Sequence, residues 1–309
     1  MMRRSIPTIM PIPTDRVLSP LAALNGPQTT TKKEAVTTVA GPNVLREVQA
    51  ALLDLDGVMY RGVQLCNGAA DFVRFVRGKG IKPFYLSNNS RSGPEVVAKK
   101  LTDLGIPTAD EEVITAAELT VERMAAMRRK SSVTVLGSEW LSSQLEAAGW
   151  KLAGADAEYV VVGLDHQFSY AKMRIGVDAL LAGATFIGVN KDPVNPIEGT
   201  LEPGCGSLVA ALQAATYRRA SCIGKPSLHM LRKALARLQL RPNQALMVGD
   251  SLVSDMVLAR RGGTHSALLL SGQTSRAMAE RLPPTRKPDL VLEDLKELAA
   301  IWKTALLSF

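Results

Sequence analysis

The sequence predicts an α/β protein, an open, doubly wound parallel sheet joined to a second α/β unit. Two observations carry this. Short apolar runs alternate with amphipathic, helix-length segments from Val48 onward, the pattern of parallel α/β architecture. The alternation restarts near Ser131 and runs long enough for a unit of its own, and 309 residues suit two domains at roughly 100 to 200 residues each.

Residues 1–46 are rich in Pro, Thr and Ser, show neither helical nor strand periodicity, and read as a disordered extension. Their arginines and hydroxyl residues, with few acids, faintly resemble an organelle transit peptide, but Pro7, Pro11 and Pro13 would break an amphipathic helix there. "VQAALLDLD" then reads as a buried strand, and "GAADFVRFVRGKG" as a helix with Phe72, Val73, Phe75 and Val76 at helical spacing and a glycine stop. "KPFYLSNNS" is a second strand, and "GPEVVAKKLTDLG" a helix with Pro94 in its first turn and Gly105 at its end. "VITAAELTVERMAAMRRK" reads as one helix. The restarted set comprises "SSVTVLG", "EWLSSQLEAAGW", "EYVVVG", "YAKMRIGVDALLAG" and "ATFIGVN". The last part, from "RASCIGKP" through "NQALMVGDS" and "THSALLLSG" to "PDLVLEDLKELAAIW", returns to short strands with intervening helices.

Composition narrows the function. The net charge of +8 comes from lysines and arginines spread along the chain with only 5% aromatic residues, which argues against nucleic acid and for a basic surface that draws in small anions. Cys66, Cys205 and Cys222 form no CxxC pair, so neither a disulfide scaffold nor a cysteine zinc site is indicated, and a reducing, cytoplasmic setting fits. His166, His229 and His265 show no metal-binding spacing, which leaves oxygen ligands for any metal. No apolar run approaches the roughly 18 to 20 residues of a spanning helix, so no membrane role is expected.

Four polar features follow apolar runs: Asp54 and Asp56 after "ALL", Ser87 to Asn89 after "FYL", Gly224 and Lys225 after "SCI", and Gly249 and Asp250 after "LMV". In open parallel sheets the ligand crevice lies beyond the carboxyl ends of the strands, so these four are expected to converge. Each alone is compatible with a turn or a helix cap; together they suggest phosphoryl transfer through a carboxylate. Asp54 and Asp56 would share one face of the chain with Leu55 opposite, which crowds negative charge unless a cation or a reaction uses it. An aspartate attacking phosphorus splits ester hydrolysis into two easier steps. Asp54 and Asp250, with a main-chain carbonyl at Asp56, make an oxygen-rich set suited to Mg2+. Lys225 adds a fixed positive charge, the Ser87 hydroxyl and main-chain N–H groups near Asn88 could hold phosphate oxygens, and Asp56 is left to move protons.

"DLDGV", "LSNNS", "GKP" and "GDSLVSD" resemble the four motifs of the haloacid dehalogenase superfamily of phosphatases. "VVVGLDHQFSYAKM" and "GVNKDPVNP…GTLEPGCGSLVAAL" are similar to the cap of its 4-nitrophenylphosphatase, phosphoglycolate phosphatase and pyridoxal phosphate phosphatase branch. The resemblance implies a Rossmann-like core over residues 47–129 and 218–309 and an α/β cap over 130–217 that closes over the site. It implies Asp54 as nucleophile, Asp56 as general acid and base, Ser87 as phosphate ligand, Lys225 as charge-neutralising lysine, Asp250 as Mg2+ ligand, and Asp255 as support for the metal's water shell or for the lysine. Specificity is expected from the cap loop Asn190 to Pro196, with Asn190 and Asp192 beside Asn88 and Asn89 as substrate-binding candidates. The expected substrate is a small phosphorylated metabolite of phosphoglycolate or 4-nitrophenyl phosphate type, with pyridoxal phosphate or a sugar phosphate as alternatives, and a homodimer through the cap is a further expectation. Ser251, Ser254 and Gln273 depart from the branch's usual residues.

Other readings are weaker. "PGCGSLV" lacks the third glycine of a dinucleotide loop, His229 and His265 fit structural roles, and the "RRK" run at 128–130 fits a solvated helix end. His166 is either a cap residue near the substrate entrance or a surface histidine. A receiver-like phosphoaccepting module would share the acidic pocket and lysine, but not a second α/β unit or an acid two residues past the nucleophile.

Overall fold

A computed structural model describes residues 41–197 and 200–307. The extension expected over 1–46 lies outside the described residues as far as position 40. Its last part is corrected: Pro42–Arg46 forms a 3-10 turn, with Leu45 0% exposed and the Leu45 carbonyl accepting a bond from Trp302 Nε1 at 3.0 Å. The anchor lies 257 residues away, so no local periodicity announces it.

The first segment runs β1 (Ala50–Leu53), β2 (Tyr60–Arg61), β3 (Gln64–Leu65), α1 (Ala69–Gly78), β4 (Lys82–Ser87), α2 (Pro94–Asp103), β5 (Val113–Thr115) and α3 (Ala116–Ala125). A second unit follows with β6 (Ser132–Leu136), α4 (Glu139–Ala147), β7 (Lys151–Leu152), β8 (Tyr159–Val162), α5 (Tyr170–Leu181), β9 (Thr185–Gly188), β10 (Val194–Ile197), β11 (Thr200–Pro203), α6 (Cys205–Thr216) and β12 (Ser221–Cys222). The chain then returns with α7 (Leu228–Leu238), β13 (Ala245–Gly249), α8 (Asp255–Gly262), β14 (His265–Leu269), α9 (Arg276–Glu280), β15 (Leu290–Leu292) and α10 (Leu295–Leu307).

Among the described residues, six strands form a parallel sheet in the order β15-β14-β13-β1-β4-β5. Its central strands are buried on both faces, which is why they read as unbroken apolar runs rather than alternating ones. In β1, Ala50 and Leu52 join one hydrophobic cluster while Ala51 and Leu53 join the other, the period of two that a strand imposes. The second cluster is closed by α1 and α10, where Phe72 meets Trp302 with ring centroids 6.0 Å apart. The first cluster runs without a break from Leu52, Phe84 and Ile114 into Val133, Leu141 and Val160, so the two units share apolar packing.

The second unit is a five-stranded parallel sheet, β12-β9-β8-β6-β7, with the antiparallel β10 and β11 pair beside it. Two expectations change here. "VIT" is the edge strand β5 rather than the start of a helix, with Thr115 both ending the strand and capping α3 by accepting from Glu118 N at 3.1 Å. "SC" at 221–222 pairs with β9, so the strand placed in the returning core segment from residue 218 belongs to the inserted sheet.

Candidate active site

Adjacent strands β13, β1 and β4 end in Asp250, Asp54 and Ser87. Parallel pairing in register sets their carboxyl ends side by side, and that alone brings together residues nearly the whole core apart in sequence. Lys225 reaches the same point by another route. It follows β12 of the inserted sheet, not a strand of the core, and a cis bond joins it to Pro226.

The floor of the site is a network of opposite charges. Lys225 is 2% exposed, with Nζ 2.5 Å from Asp54 Oδ1 and 2.8 Å from Asp255 Oδ1. Burial opposes its charge, but Asp255 and Asp54 outweigh that and hold the ammonium well above its ordinary range. Burial also pushes the Asp54 carboxyl well above the usual carboxylate range, and repulsion from Asp255 and Asp250 adds to the rise against the pull of Lys225. Asp250 is pushed up to about 7 by burial first and then by Asp255. Ligand oxygens of Asp54, Asp250 and Asp255 lie within 4.8 Å of one another.

Asp250 is held on every side but one. Oδ2 accepts from Gln273 N at 2.9 Å, its own carbonyl accepts from Thr274 Oγ1 at 2.6 Å, and among the described residues the buried Oδ1 has no hydrogen-bond partner. Two glycines admit the carboxylate: a Cβ on Gly57 would lie 2.3 Å from Oδ2, and one on Gly272 1.7 Å. Gly57 also has φ +84°, so both space and backbone conformation require glycine there. An orphaned buried oxygen among three carboxylates facing one ammonium fits a divalent cation. Gln273 serves Asp250 through its main-chain N–H, and Ser251 Oγ accepts from Ser254 N at 3.3 Å, so these departures from the family pattern leave the charges in place.

The remaining predicted residues divide into two groups. Ser87 is 3% exposed, and its Oγ accepts from Asn89 N at 3.1 Å while keeping its own proton to donate. Asp56 lines the cleft, but its side chain is not among the clustered carboxylates; burial raises it, with Lys100 and then Lys225 drawing it back. Asn88, Asn89, Asn190 and Asp192 also border the cleft, yet their side chains are engaged with one another and with the loops. Asn88 Nδ2 donates to Asp192 Oδ2 at 2.9 Å and Asn88 Oδ1 accepts from Lys225 N at 2.8 Å. Asn190, 4% exposed, donates to the Asn88 carbonyl at 2.6 Å and accepts from Asp192 N at 2.9 Å. Asn89 Oδ1 accepts from Arg91 N at 2.8 Å and Ser92 N at 3.1 Å. Asn88, Asn190 and Asp192 thus tie the second unit's loop to the core and to the backbone that carries Lys225, while Asn89 shapes its own turn, and all four side chains remain at the cleft border where the sequence reading placed them. Asp255, fully buried, braces the lysine and accepts from Ser251 N at 3.2 Å.

Above this floor is a cleft of about 660 Å³ with walls from both units. The first unit supplies Tyr60, Val63, Val96 and Lys100, and the second supplies the run from Asn190 to Ile197. Sequence reasoning missed Tyr60 and Lys100. His166 sits outside the cleft lining, with Nε2 3.2 Å from Glu202 Oε1.

A parallel α/β core with a carboxylate, a hydroxyl and an ion-paired lysine at its central strand ends, beneath an inserted α/β unit, defines a phosphatase-type hydrolase. Residues 51–151 match the profile of the haloacid dehalogenase-like hydrolases, and residues 222–298 match a second, HAD-hydrolase-like profile. The chain is similar to the 5'-nucleotidase YutF of Bacillus subtilis, 33% identical over 82% of this chain and 98% of that protein. The structure resembles the 4-nitrophenylphosphatase of Thermotoga maritima, with a TM-score of 0.77 at 29% identity over 83% and 98% of the two chains. It also resembles the glycerol phosphate phosphatase of Mycobacterium tuberculosis in complex with magnesium, with a TM-score of 0.75 at 31% identity over 82% and 77%. The chain belongs to the haloacid dehalogenase-like hydrolase family, and within it the enzyme is a phosphatase. No helix among the described residues is long and apolar enough to cross a membrane.

Proposed function

We propose that the enzyme hydrolyses monoesters of small phosphorylated metabolites through an aspartyl phosphate on Asp54, with Mg2+ as cofactor. The supporting observation is the charge balance of the floor: three clustered carboxylates face one lysine, and an oxygen of Asp250 is buried without a partner. Asp54, Asp250 and the Asp56 carbonyl would hold the cation, which supplies the positive charge that brings a dianionic ester and ionised carboxylates together. Asp54 forms a bond to phosphorus as the bond to the leaving oxygen breaks, and Asp56 gives that oxygen its proton. Asp56 then takes a proton from water, which attacks phosphorus, releases inorganic phosphate and restores Asp54. Lys225 keeps Asp54 aimed and offsets the charge of the phosphoryl group, and Ser87 donates to one of its oxygens.

The inserted unit acts as a cap, and the domain division follows the sequence reading with β12 added to the cap. Its hairpin, not the fixed floor, faces the leaving group and sets specificity. Phosphoglycolate or 4-nitrophenyl phosphate type esters come first, with pyridoxal phosphate and sugar phosphates as alternatives. Three unpaired cysteines, Cys66, Cys205 and Cys222, support a reducing compartment such as the cytoplasm. Release of phosphate from 4-nitrophenyl phosphate, measured with and without Mg2+, tests the reading. Asp54→Asn is expected to lower kcat by at least about 10³-fold, the scale of losing a covalent nucleophile. Equal rates for the native and variant proteins would overturn it.

A further inference from the structure

We propose that the preferred substrates carry a second anionic group, a carboxylate or a phosphate, on the alcohol part of the ester, and that Lys100 holds it. The proposal rests on the phosphomonoesterase reading and adds the class of leaving group. It begins with two adjacent lysines that the helix turns apart. On α2, Lys99 faces solvent and pairs with Asp103 one turn on, Nζ to Oδ2 2.6 Å. Lys100, one residue further round the helix, is half-buried and lines the cleft.

Its surroundings leave it under-satisfied. The ammonium lies 3.6 Å from the centroid of the Tyr60 ring, and among the described residues it has no ion pair and no hydrogen bond to an acceptor. A ring face attracts such a cation but occupies none of its three N–H donors. The other cations bordering the cleft differ from it: Lys225 is held by Asp54 and Asp255, while Arg91 and Lys191 are exposed at the mouth. Lys100 is thus the half-buried cation of the wall whose donors remain available to a ligand.

Its position selects the alcohol half of the substrate. Asp56 pairs with Tyr60 in an isolated bridge, and Lys100 lies over the Tyr60 ring in the same cleft, so the lysine neighbours Asp56. Asp56 serves the leaving oxygen in the proposed mechanism, so a cation near it that takes no part in the Lys225 network of the floor is placed to meet what leaves rather than the phosphoryl group. Val63, Val96 and Val194 also line the cleft, and their side chains offer no acceptor. Tyr60 fixes the approach: it is 3% exposed on β2, so the lysine stem rests against a rigid surface.

The test uses full-length enzyme and two matched pairs of esters, glycerol 3-phosphate with 3-phosphoglycerate and fructose 6-phosphate with fructose 1,6-bisphosphate. The first pair isolates a carboxylate and the second a phosphate. Native enzyme is expected to favour the more anionic member of at least one pair in kcat/KM. Lys100→Met, which keeps the stem over Tyr60, is expected to lower kcat/KM for that member by about 10- to 100-fold, the scale of one charge-assisted contact, chiefly through KM. The loss for the neutral partner is expected to be clearly smaller, so that the ratio of the two kcat/KM values falls by about tenfold or more, with an unchanged thermal midpoint reporting the fold, and Lys100→Arg is expected to restore most of the preference. Native enzyme that treats both members of both pairs alike would overturn the proposal. So would an equal loss for neutral and anionic esters in Lys100→Met, since that places Lys100 on the chemistry through Asp56 instead. If native enzyme hydrolyses none of the four esters nor 4-nitrophenyl phosphate, the phosphomonoesterase reading itself fails and this proposal falls with it.

Discussion

On the floor of the cleft, Lys225 is 2% exposed and Asp255 0%, and the ion pairs between them and Asp54 span 2.5 to 2.8 Å. In the hairpin wall, Val194, Ile197 and Leu201 are 37%, 41% and 48% exposed, and Glu202 is tied by hydrogen bonds to Asn195 and His166. The floor draws its rigidity from strand ends locked in a six-stranded sheet; the hairpin has two four-residue strands with no fully buried residue. Under the proposed mechanism, precision is concentrated where the phosphoryl group would be handled, and the hairpin side of the cleft is the adaptable part.

The largest expected effect comes from breaking the floor's charge balance. Lys225→Met leaves Asp54 and Asp255 buried without their cation, so a stability loss of about 3 to 5 kcal/mol is expected along with near-complete loss of turnover. The sign with pH is fixed. Asp54 already has its carboxyl raised by burial, and without the lysine it rises further, so the folded variant binds more protons than the unfolded chain. Its stability is expected to recover as pH is lowered from 8 toward 5, measured by denaturant unfolding with chelator present. A variant as stable as native enzyme at pH 8 would break the contrast drawn here.

A smaller effect follows from the glycine cradle. Gly272→Ala would set a Cβ 1.7 Å from Asp250 Oδ2, and backbone or carboxylate must move. Overpacking of this kind costs about 1 to 3 kcal/mol, and the displaced carboxylate is expected to raise the Mg2+ concentration needed for half-maximal activity. The same alanine change in the hairpin wall, at Val194, is expected to leave that concentration unaltered.

Metal dependence sharpens the picture further. Asp250 is pushed up to about 7 by burial and by Asp255, against an ordinary value near 3.8. Metal-free enzyme is therefore expected to lose stability as pH rises from about 4 through about 7, because the proton favoured by the folded state is given up. A cation must displace that same proton below pH 7 and need not above it. Mg2+ is expected to raise the thermal midpoint more at pH 8 than at pH 5; an equal rise at both would separate Asp250 from the cation site.

How much of this the sequence shows depends on the kind of burial. β1, β4 and β13 are legible because strands covered on both faces must be apolar throughout, and the polar residues that end them stand out against "ALL", "FYL" and "LMV". β5 is not legible, since its three residues pass into α3 with no intervening turn. β12 is legible as a strand but not by sheet, because its partner β9 lies more than 30 residues upstream. Lys100 is hidden for a different reason: on an amphipathic helix two adjacent lysines look alike, and only the fold shows that one meets Asp103 and the other Tyr60. Asn190 and Asp192 are visible as neighbours of the site, but their hydrogen-bond partners at Asn88 are about 100 residues away.

The smallest effect is expected at Glu202, and it tests the wall from the opposite direction. Asn195 and Glu202 face each other across β10 and β11, with Asn195 Nδ2 donating to Oε1 at 2.6 Å, while His166 ties that same oxygen to the loop after β8. The bond from Asn195 holds the Glu202 carboxyl below its ordinary range against the opposing effect of burial, and the neighbouring His166 and Arg91 add to the lowering. Glu202→Gln keeps the shape and removes the charge, so the tie weakens without a cavity. Surface interactions of this kind are worth about 1 kcal/mol or less, and no measurable change in global stability is expected. What should move is the hairpin: KM for esters with large alcohol parts is expected to shift by up to about threefold while kcat on 4-nitrophenyl phosphate stays put, because the hairpin meets the leaving group and the floor does not depend on it. A fall in kcat instead would mean that the wall helps to place the reacting groups, and the division between a fixed floor and an adaptable wall would have to be redrawn.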